Sequence, residues 1–114
     1  MNRAVVEVIR NSRTVVIRGN SMDDQQKIEI YEKALFIVKE AGKKDGIYFH
    51  LEKNGMDIFY SEYDDLLSIY WKNTFVFVSK RGTAAKIVND AGIQFWIDQI
   101  NKEFRALMSK TKTV

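Results

Sequence analysis

The chain holds 114 residues, of which 46% are hydrophobic and 29% charged, so it is long and apolar enough for one globular domain with its own core. It has no cysteine, which excludes disulfides, thiolate zinc sites and cysteine nucleophiles, and no apolar run reaches the length of a membrane span; these features predict a cytoplasmic protein. The net charge of +3 permits nucleic acid or another anionic partner without requiring one.

Two segments rich in β-branched residues open the chain. Residues 4–10 and 13–18 predict the two strands of a hairpin. Arg10 and Arg13 then face each other across its turn, and Arg18 lies further along. Because like charges paired across strands repel, this arrangement costs a little stability unless an anion such as phosphate, or an acid of a partner, lies between them. The alternative is a solvated hairpin whose charges protect a sheet edge.

A long amphipathic helix is predicted next, over residues 22–41. Ser21 followed by Asp24 resembles a capping box, and Gly42 stands at the C′ position, where the helix should end. The apolar residues recur every three or four positions and predict one buried stripe. Its members are Ile28, Tyr31, Leu35, Val38 and Ala41.

Four short apolar segments between residues 46 and 80 predict two β-hairpins. Asn54 and Gly55 form the dipeptide preferred in type I′ turns, and the resulting register places His50 opposite Phe59. Alternation then puts aliphatic side chains on one side of these strands and rings on the other.

The second hairpin is predicted around Lys72. Counting outward from this turn pairs Tyr70 with Phe75. The next aliphatic pair in the same register is Ile69 with Val76. In this hairpin too, aliphatic side chains therefore lie on one side and rings on the other.

The face opposite the aliphatic one is predicted to carry a set of aromatic side chains. They are Tyr48, His50, Phe59, Tyr70, Phe75 and Phe77. Such a face is either buried, under a partner subunit or the first hairpin, or displayed to a partner. Displayed rings suit the stacking of unpaired bases, and they equally suit contact with a protein.

The last part of the sequence predicts a second helix. Gly82 ends the sheet, and residues 83–88 form either a helical turn or a last short strand. Asp90 is a suitable N-cap for a helix over residues 91–108. Residues 109–114 are polar and predict a flexible tail.

Together the elements predict the order ββαββββα and a single α+β domain over residues 1–108. Every connection within the sheet is short enough for antiparallel pairing, so we expect one curved antiparallel sheet of about six strands. Two helices should pack on its aliphatic face.

No motif points to catalysis. His50 is the single histidine and lies in mid-strand among aromatic residues, a position typical of a packing residue. Glu62, Asp64 and Asp65 lack the spacing of an EF-hand loop and predict a solvated turn. We therefore expect no enzyme, no metal site and no cofactor.

The basic residues and the rings predict a non-catalytic binding protein, and the first hypothesis is sequence-tolerant binding of nucleic acid. The phosphate contacts would come from Arg10, Arg13, Arg18, Lys80 and Arg81, and the stacking positions from Tyr48, Phe59, Tyr70 and Phe75. Lys80 and Arg81 directly follow a strand, where backbone amides also suit a phosphate; a solvated turn is the alternative. The alternative function is a protein-interaction module, a small regulator or inhibitor, that docks through the aromatic sheet face or forms a homodimer.

Overall fold

The computed structural model describes residues 22–111. This part of the chain consists of a helix, six strands and a second helix. In chain order the elements are α1 (Asp24–Ala41), β1 (Lys43–Asp45), β2 (Tyr48–Lys53), β3 (Met56–Ser61), β4 (Leu66–Trp71), β5 (Thr74–Ser79), β6 (Lys86–Ile87) and α2 (Ile93–Thr111). The predicted hairpin of residues 4–18, with Arg10, Arg13 and Arg18, lies outside the described residues.

The six strands form one antiparallel sheet in which each strand pairs with the next along the chain. The predicted α+β class is therefore confirmed, with two helices on one face of the sheet. β1, which the sequence did not indicate, and β6 are edge strands of three and two residues, so the sheet offers little edge for pairing with another chain. Residues 83–88 thus contain a short strand and not a helical turn.

α1 begins one residue after its N-cap, Asp23. The Asp23 carboxylate accepts a hydrogen bond from the Gln26 backbone N–H at 2.8 Å, and the Gln26 side chain accepts one from the Asp23 N–H at 3.1 Å. This reciprocal pair is a capping box, two residues after the one expected at Ser21. The glutamine completes the box, which explains why the helix begins at Asp24.

Gly42 ends α1 at the predicted position, but through close approach and not through a left-handed conformation. Its φ of −83° is extended, and its N–H donates to the Val38 carbonyl oxygen at 3.0 Å. A Cβ on Gly42 would lie 2.5 Å from that oxygen and 2.8 Å from the His50 carbonyl oxygen. Glycine is therefore required because β2 passes close to the helix end.

Both predicted hairpin turns form. Asn54 and Gly55 have φ of 53° and 87°, as a type I′ turn requires, and the β2–β3 register is the predicted one. Lys72 and Asn73 also have positive φ, 48° and 68°. A lysine in the left-handed region costs about 1–2 kcal/mol, so the pairing of β4 with β5 must outweigh that strain.

A β-bulge lies in the second hairpin. The pair Tyr70–Phe75 forms as predicted. The register then shifts, so that Ile69 faces Phe77 and not Val76. A bulge adds one residue to β5 and turns the side chains beyond it to the opposite face. The predicted place of Phe77 on the aromatic face is therefore wrong, and its side chain is fully buried.

The core lies between the helices and one face of the sheet, here called the inner face. Its sheet side chains are Phe49, Met56, Ile58, Tyr60, Leu67, Ile69, Val76 and Phe77. From α2, the Trp96 ring lies 6.3 Å from the Phe77 ring, and Phe104 meets Phe36 of α1 at 5.5 Å between ring centroids. In the described part of the chain, neither helix is long and apolar enough to cross a membrane.

α2 begins after a left-handed glycine. Gly92 has a φ of 61°, and the Ile93 N–H donates to the Asp90 backbone carbonyl oxygen at 3.1 Å. The half-buried Trp71 indole lies against Gly92, where a Cβ would come within 2.5 Å of Nε1. α2 then runs to Thr111, three residues further than predicted.

Phe77 and Phe75 lie on opposite faces of β5, and alanine substitutions should separate them. We expect Phe77→Ala to lower the free energy of unfolding by about 3–5 kcal/mol, because it empties a packed site. Phe75→Ala should cost clearly less, since that ring is only half-buried. Urea denaturation followed by circular dichroism measures both losses, and equal losses would contradict the bulge.

Gly92 and Gly46 form a matched pair for testing the contact with Trp71. Their φ values are 61° and 63°, but a Cβ on Gly46 would meet nothing within 4 Å. We expect Gly46→Ala to cost about 1 kcal/mol for the left-handed backbone alone, and Gly92→Ala to cost at least about 1 kcal/mol more. Thermal and urea unfolding measure the difference; two equal costs would show that Trp71 moves aside freely.

Candidate functional site

Four rings cross the outer face of the sheet, the face turned away from the helices. His50 stacks on Phe59 with ring centroids 4.3 Å apart and planes 6° apart. Phe59 meets Tyr70 edge to face at 5.6 Å and 87°. Tyr70 then stacks on Phe75 at 5.1 Å. These four side chains, here called the ring row, join β2 to β5 through contacts in the range that is favourable between aromatic groups.

The outer rings are displayed to solvent. Tyr48 is 61% exposed and Phe59 is 41% exposed, while Tyr70 and Phe75 are half-buried by their neighbours. The helices of the described chain leave these rings uncovered. Burial under the first hairpin or under a partner subunit concerns groups outside the described residues and stays a prediction. The structure places all four predicted stacking residues on one face. Phe77 lies on the other face because of the bulge.

Two grooves flank Phe59. The first, here called the Asp57 groove, has a volume of about 570 Å³ and is lined by Asp57, Phe59, Ser68, Tyr70 and Asn73. The second, of about 340 Å³, lies toward β1, and its wall includes Tyr48, His50 and Lys43. An open sheet face is thus shaped into two depressions, one on each side of an exposed ring.

His50 packs on an aromatic neighbour, as the sequence predicted, but it does so at an exposed position of the outer face. Its Nε2 lies 2.8 Å from Asp57 Oδ1, and the Asp57 carboxylate is partly buried. Because an ionised carboxylate only accepts hydrogen bonds, Nε2 is the donor. The pair orients the His50 ring against Phe59 and holds a carboxylate in the wall of the Asp57 groove.

Acidic and basic residues border opposite ends of the ring row: Asp57 faces Tyr70, and Lys43 faces His50. Asp57 faces Glu52 directly across β2 and β3. Two exposed lysines, Lys43 and Lys86, lie on the edge strands β1 and β6. Sequence reasoning missed both lysines, because strands of two or three residues carry no recognisable alternation.

Lys80 and Arg81 are exposed, and they lie at the end of β5 opposite to Phe75, the last ring of the row. They follow β5, and the five residues from Phe75 to Lys80 span about 16 Å of extended strand. The Arg81 N–H donates to the Asp64 carbonyl oxygen at 3.3 Å, within the acidic connection between β3 and β4. The structure therefore does not bring these two basic residues to the stacking positions of Tyr70 and Phe75.

A partly buried polar contact ties α1 to the sheet. Tyr31 of α1 and Tyr60 of β3 each donate a hydrogen bond to the same oxygen, Asp65 Oδ1, at 2.6 Å. Burial, followed by the hydrogen bond to Asp65 and its negative charge, raises the pKa of both hydroxyls above the usual range of tyrosine. The prediction of a solvated turn is therefore wrong for Asp65. The helical stripe indicated that Tyr31 is buried, but no local signal identifies a partner 34 residues away.

These tyrosines should make the stability of the fold sensitive to alkaline pH. In an unfolded chain tyrosine loses its proton near pH 10, whereas Tyr31 and Tyr60 in the folded protein keep theirs to higher pH. The stability that the hydroxyls contribute is complete below about pH 10 and is lost as the pH rises above it. We expect Tyr31→Phe to lower the free energy of unfolding by about 1–2 kcal/mol at neutral pH and to flatten its alkaline decline.

Tyr63→Phe is the matched control, because it removes a hydroxyl from a ring that is 79% exposed. Its free energy of unfolding should equal that of the wild type at every pH, because the other groups that titrate are the same in both proteins. Denaturant unfolding between about pH 7 and 12 measures the three proteins. An alkaline decline in Tyr31→Phe as steep as in the control would show that Tyr31 does not hold its proton as described.

Residues 22–111 contain no group of three or more histidine, cysteine, aspartate or glutamate side chains placed to hold a metal ion. In comparisons with known proteins, the chain matches no protein-family model, no curated protein and no solved structure. We take the outer face as the candidate functional site because it combines exposed rings, two grooves and a carboxylate.

Proposed function

We propose that this chain is a non-catalytic protein-interaction module that docks a partner through the outer face of its sheet. The supporting observation is the display of the ring row beside Tyr48, on the face that the helices leave uncovered. Contiguous exposed rings are typical of the centre of a protein interface, where aromatic side chains supply much of the binding energy. A cytoplasmic location stays a prediction from the sequence.

The charges near the rings favour a protein over nucleic acid. Phosphates need cations close to the stacking positions. At the Tyr70 end of the ring row the neighbouring charges are the carboxylates of Asp57 and Glu52, and Lys43 lies at the other end, opposite His50. Nucleic-acid binding stays a prediction that depends mainly on Arg10, Arg13 and Arg18, outside the described residues.

The shape of the sheet favours docking on its face and not at its edge. Both edge strands are too short to add a long strand from another chain. The carboxylates of Glu52 and Asp57 call for a partner with basic residues. A second copy would present the same acidic and aromatic surface, so we infer that the occupant is a different, basic protein.

A pair of double variants tests this proposal. Tyr48→Ser with Phe59→Ser removes the two outer rings with the greatest exposure. The control, Tyr63→Ser with Phe95→Ser, removes rings that are 79% and 70% exposed on other surfaces. Wild type and both variants serve as baits in a native extract with and without nuclease, and each captured protein is then purified and titrated against all three.

We expect one captured protein to bind the wild type and the control alike, and to bind the outer-face variant at least about tenfold more weakly. Circular dichroism checks that both variants are folded. Equal affinity for the two variants would refute the proposal. Capture that disappears with nuclease would show that the outer face binds nucleic acid. Self-association of the pure chain that is lost in the outer-face variant would show that the face binds a second copy.

A further inference from the structure

The Asp57 groove has the walls of a site for a cation. Phe59 and Tyr70 stand nearly perpendicular to each other, at 87°, with centroids 5.6 Å apart. Asp57, Ser68 and Asn73 complete the lining of a space of about 570 Å³. Two ring surfaces that meet at a corner beside a carboxylate resemble the aromatic cages that hold ammonium and guanidinium groups.

The charge of Asp57 has no cationic side chain to balance it within residues 22–111 apart from His50. Its Oδ1 accepts the hydrogen bond from His50 Nε2, and no lysine or arginine of the described chain forms an ion pair with it. Directly across the strand pair stands Glu52, also an acid. Like charges in facing positions lower the stability of a sheet. The hydrogen bond from His50 uses Oδ1, and Oδ2 of Asp57 accepts no hydrogen bond from residues 22–111.

We infer that the Asp57 groove binds an arginine side chain of the docked protein; this inference rests on the proposed function of the outer face. A guanidinium is planar, so it stacks on Tyr70 or Phe59 while its N–H groups donate to the Asp57 carboxylate. Ser68 and Asn73 offer further acceptor oxygens in the same wall. The volume exceeds that of one guanidinium and leaves room for the neighbouring backbone.

The groove discriminates against other ligand classes by the same chemistry. An anion would approach the Asp57 carboxylate against electrostatic repulsion. An apolar side chain would fill the space between the rings but would bury that carboxylate without a partner, which is unfavourable. A lysine supplies the charge but lacks the planar fork that stacks and donates at once.

A peptide titration tests the inference directly. The probe is the blocked tripeptide glycyl-arginyl-glycine, and the matched probe replaces arginine with citrulline, which has the same shape without the charge. Binding to the isotope-labelled chain is followed by two-dimensional NMR. We expect saturable shifts at Asp57, Phe59, Ser68 and Tyr70 with the arginine peptide, and at least about tenfold weaker binding of the citrulline peptide.

The decisive variant is Asp57→Asn, which keeps the size of the side chain and an oxygen that accepts from His50. It should weaken the arginine peptide at least about tenfold, whereas Asp98→Asn, at an exposed position of α2 outside the sheet, should leave the affinity unchanged. Equal affinity for both peptides, or unchanged affinity in Asp57→Asn, would overturn the inference.

The two proposals can fail separately. If a captured protein depends on Tyr48 and Phe59 but binds Asp57→Asn as tightly as the wild type, the face is a docking surface and the arginine site is refuted. If the arginine peptide requires Asp57 while captured proteins ignore Tyr48 and Phe59, the groove stands as a cation site and the proposed docking function is refuted.

Discussion

In an antiparallel sheet successive side chains point to opposite faces, and the two helices of residues 22–111 cover one face only. Most aliphatic and aromatic residues at inner positions are therefore buried under α1 and α2, as Met56, Ile58 and Ile69 are. The residues between them must face water or a partner. The presence of rings in these alternate positions, in place of the usual polar residues, makes the outer face the distinctive part of the molecule.

Local chemistry in the sequence was sufficient to predict most of this frame. Asn54 and Gly55 determine both the turn and the register of β2 with β3, so the sequence alone predicts that His50 faces Phe59. The helices follow from apolar spacing. The bulge in β5 could not be predicted, because one extra residue is accommodated by packing against α2, and it moved Phe77 from the outer rings to the core. The edge strand β1 was not predicted, because three residues are too few to show an alternation of polar and apolar side chains.

The contacts that the sequence did not predict are those between distant polar groups. Tyr31 and Tyr60 share one oxygen of Asp65, a residue with left-handed φ of 51° in the connection that follows β3. A carboxylate in this place accepts two hydrogen bonds from hydroxyls that stay neutral, so no cation is needed to balance its burial. This contact fixes α1 against the turn between β3 and β4. The strands that carry Phe59 and Tyr70 are thereby held at one end by a helix on the opposite face.

Exposed rings also stabilise a sheet, so exposure alone does not establish a binding role. Cross-strand ring pairs contribute about 0.5–1.5 kcal/mol each beyond the area they bury, and the ring row contains three such contacts. Asp57 orients the His50 ring through their hydrogen bond, and its carboxylate also stands opposite Glu52 and lines an open groove beside two rings. The stacking of His50 on Phe59 and of Phe75 on Tyr70 also fixes the groove walls in advance. A guanidinium that enters would therefore order few side chains, and the ring contacts that support the sheet would lower the entropic cost of binding.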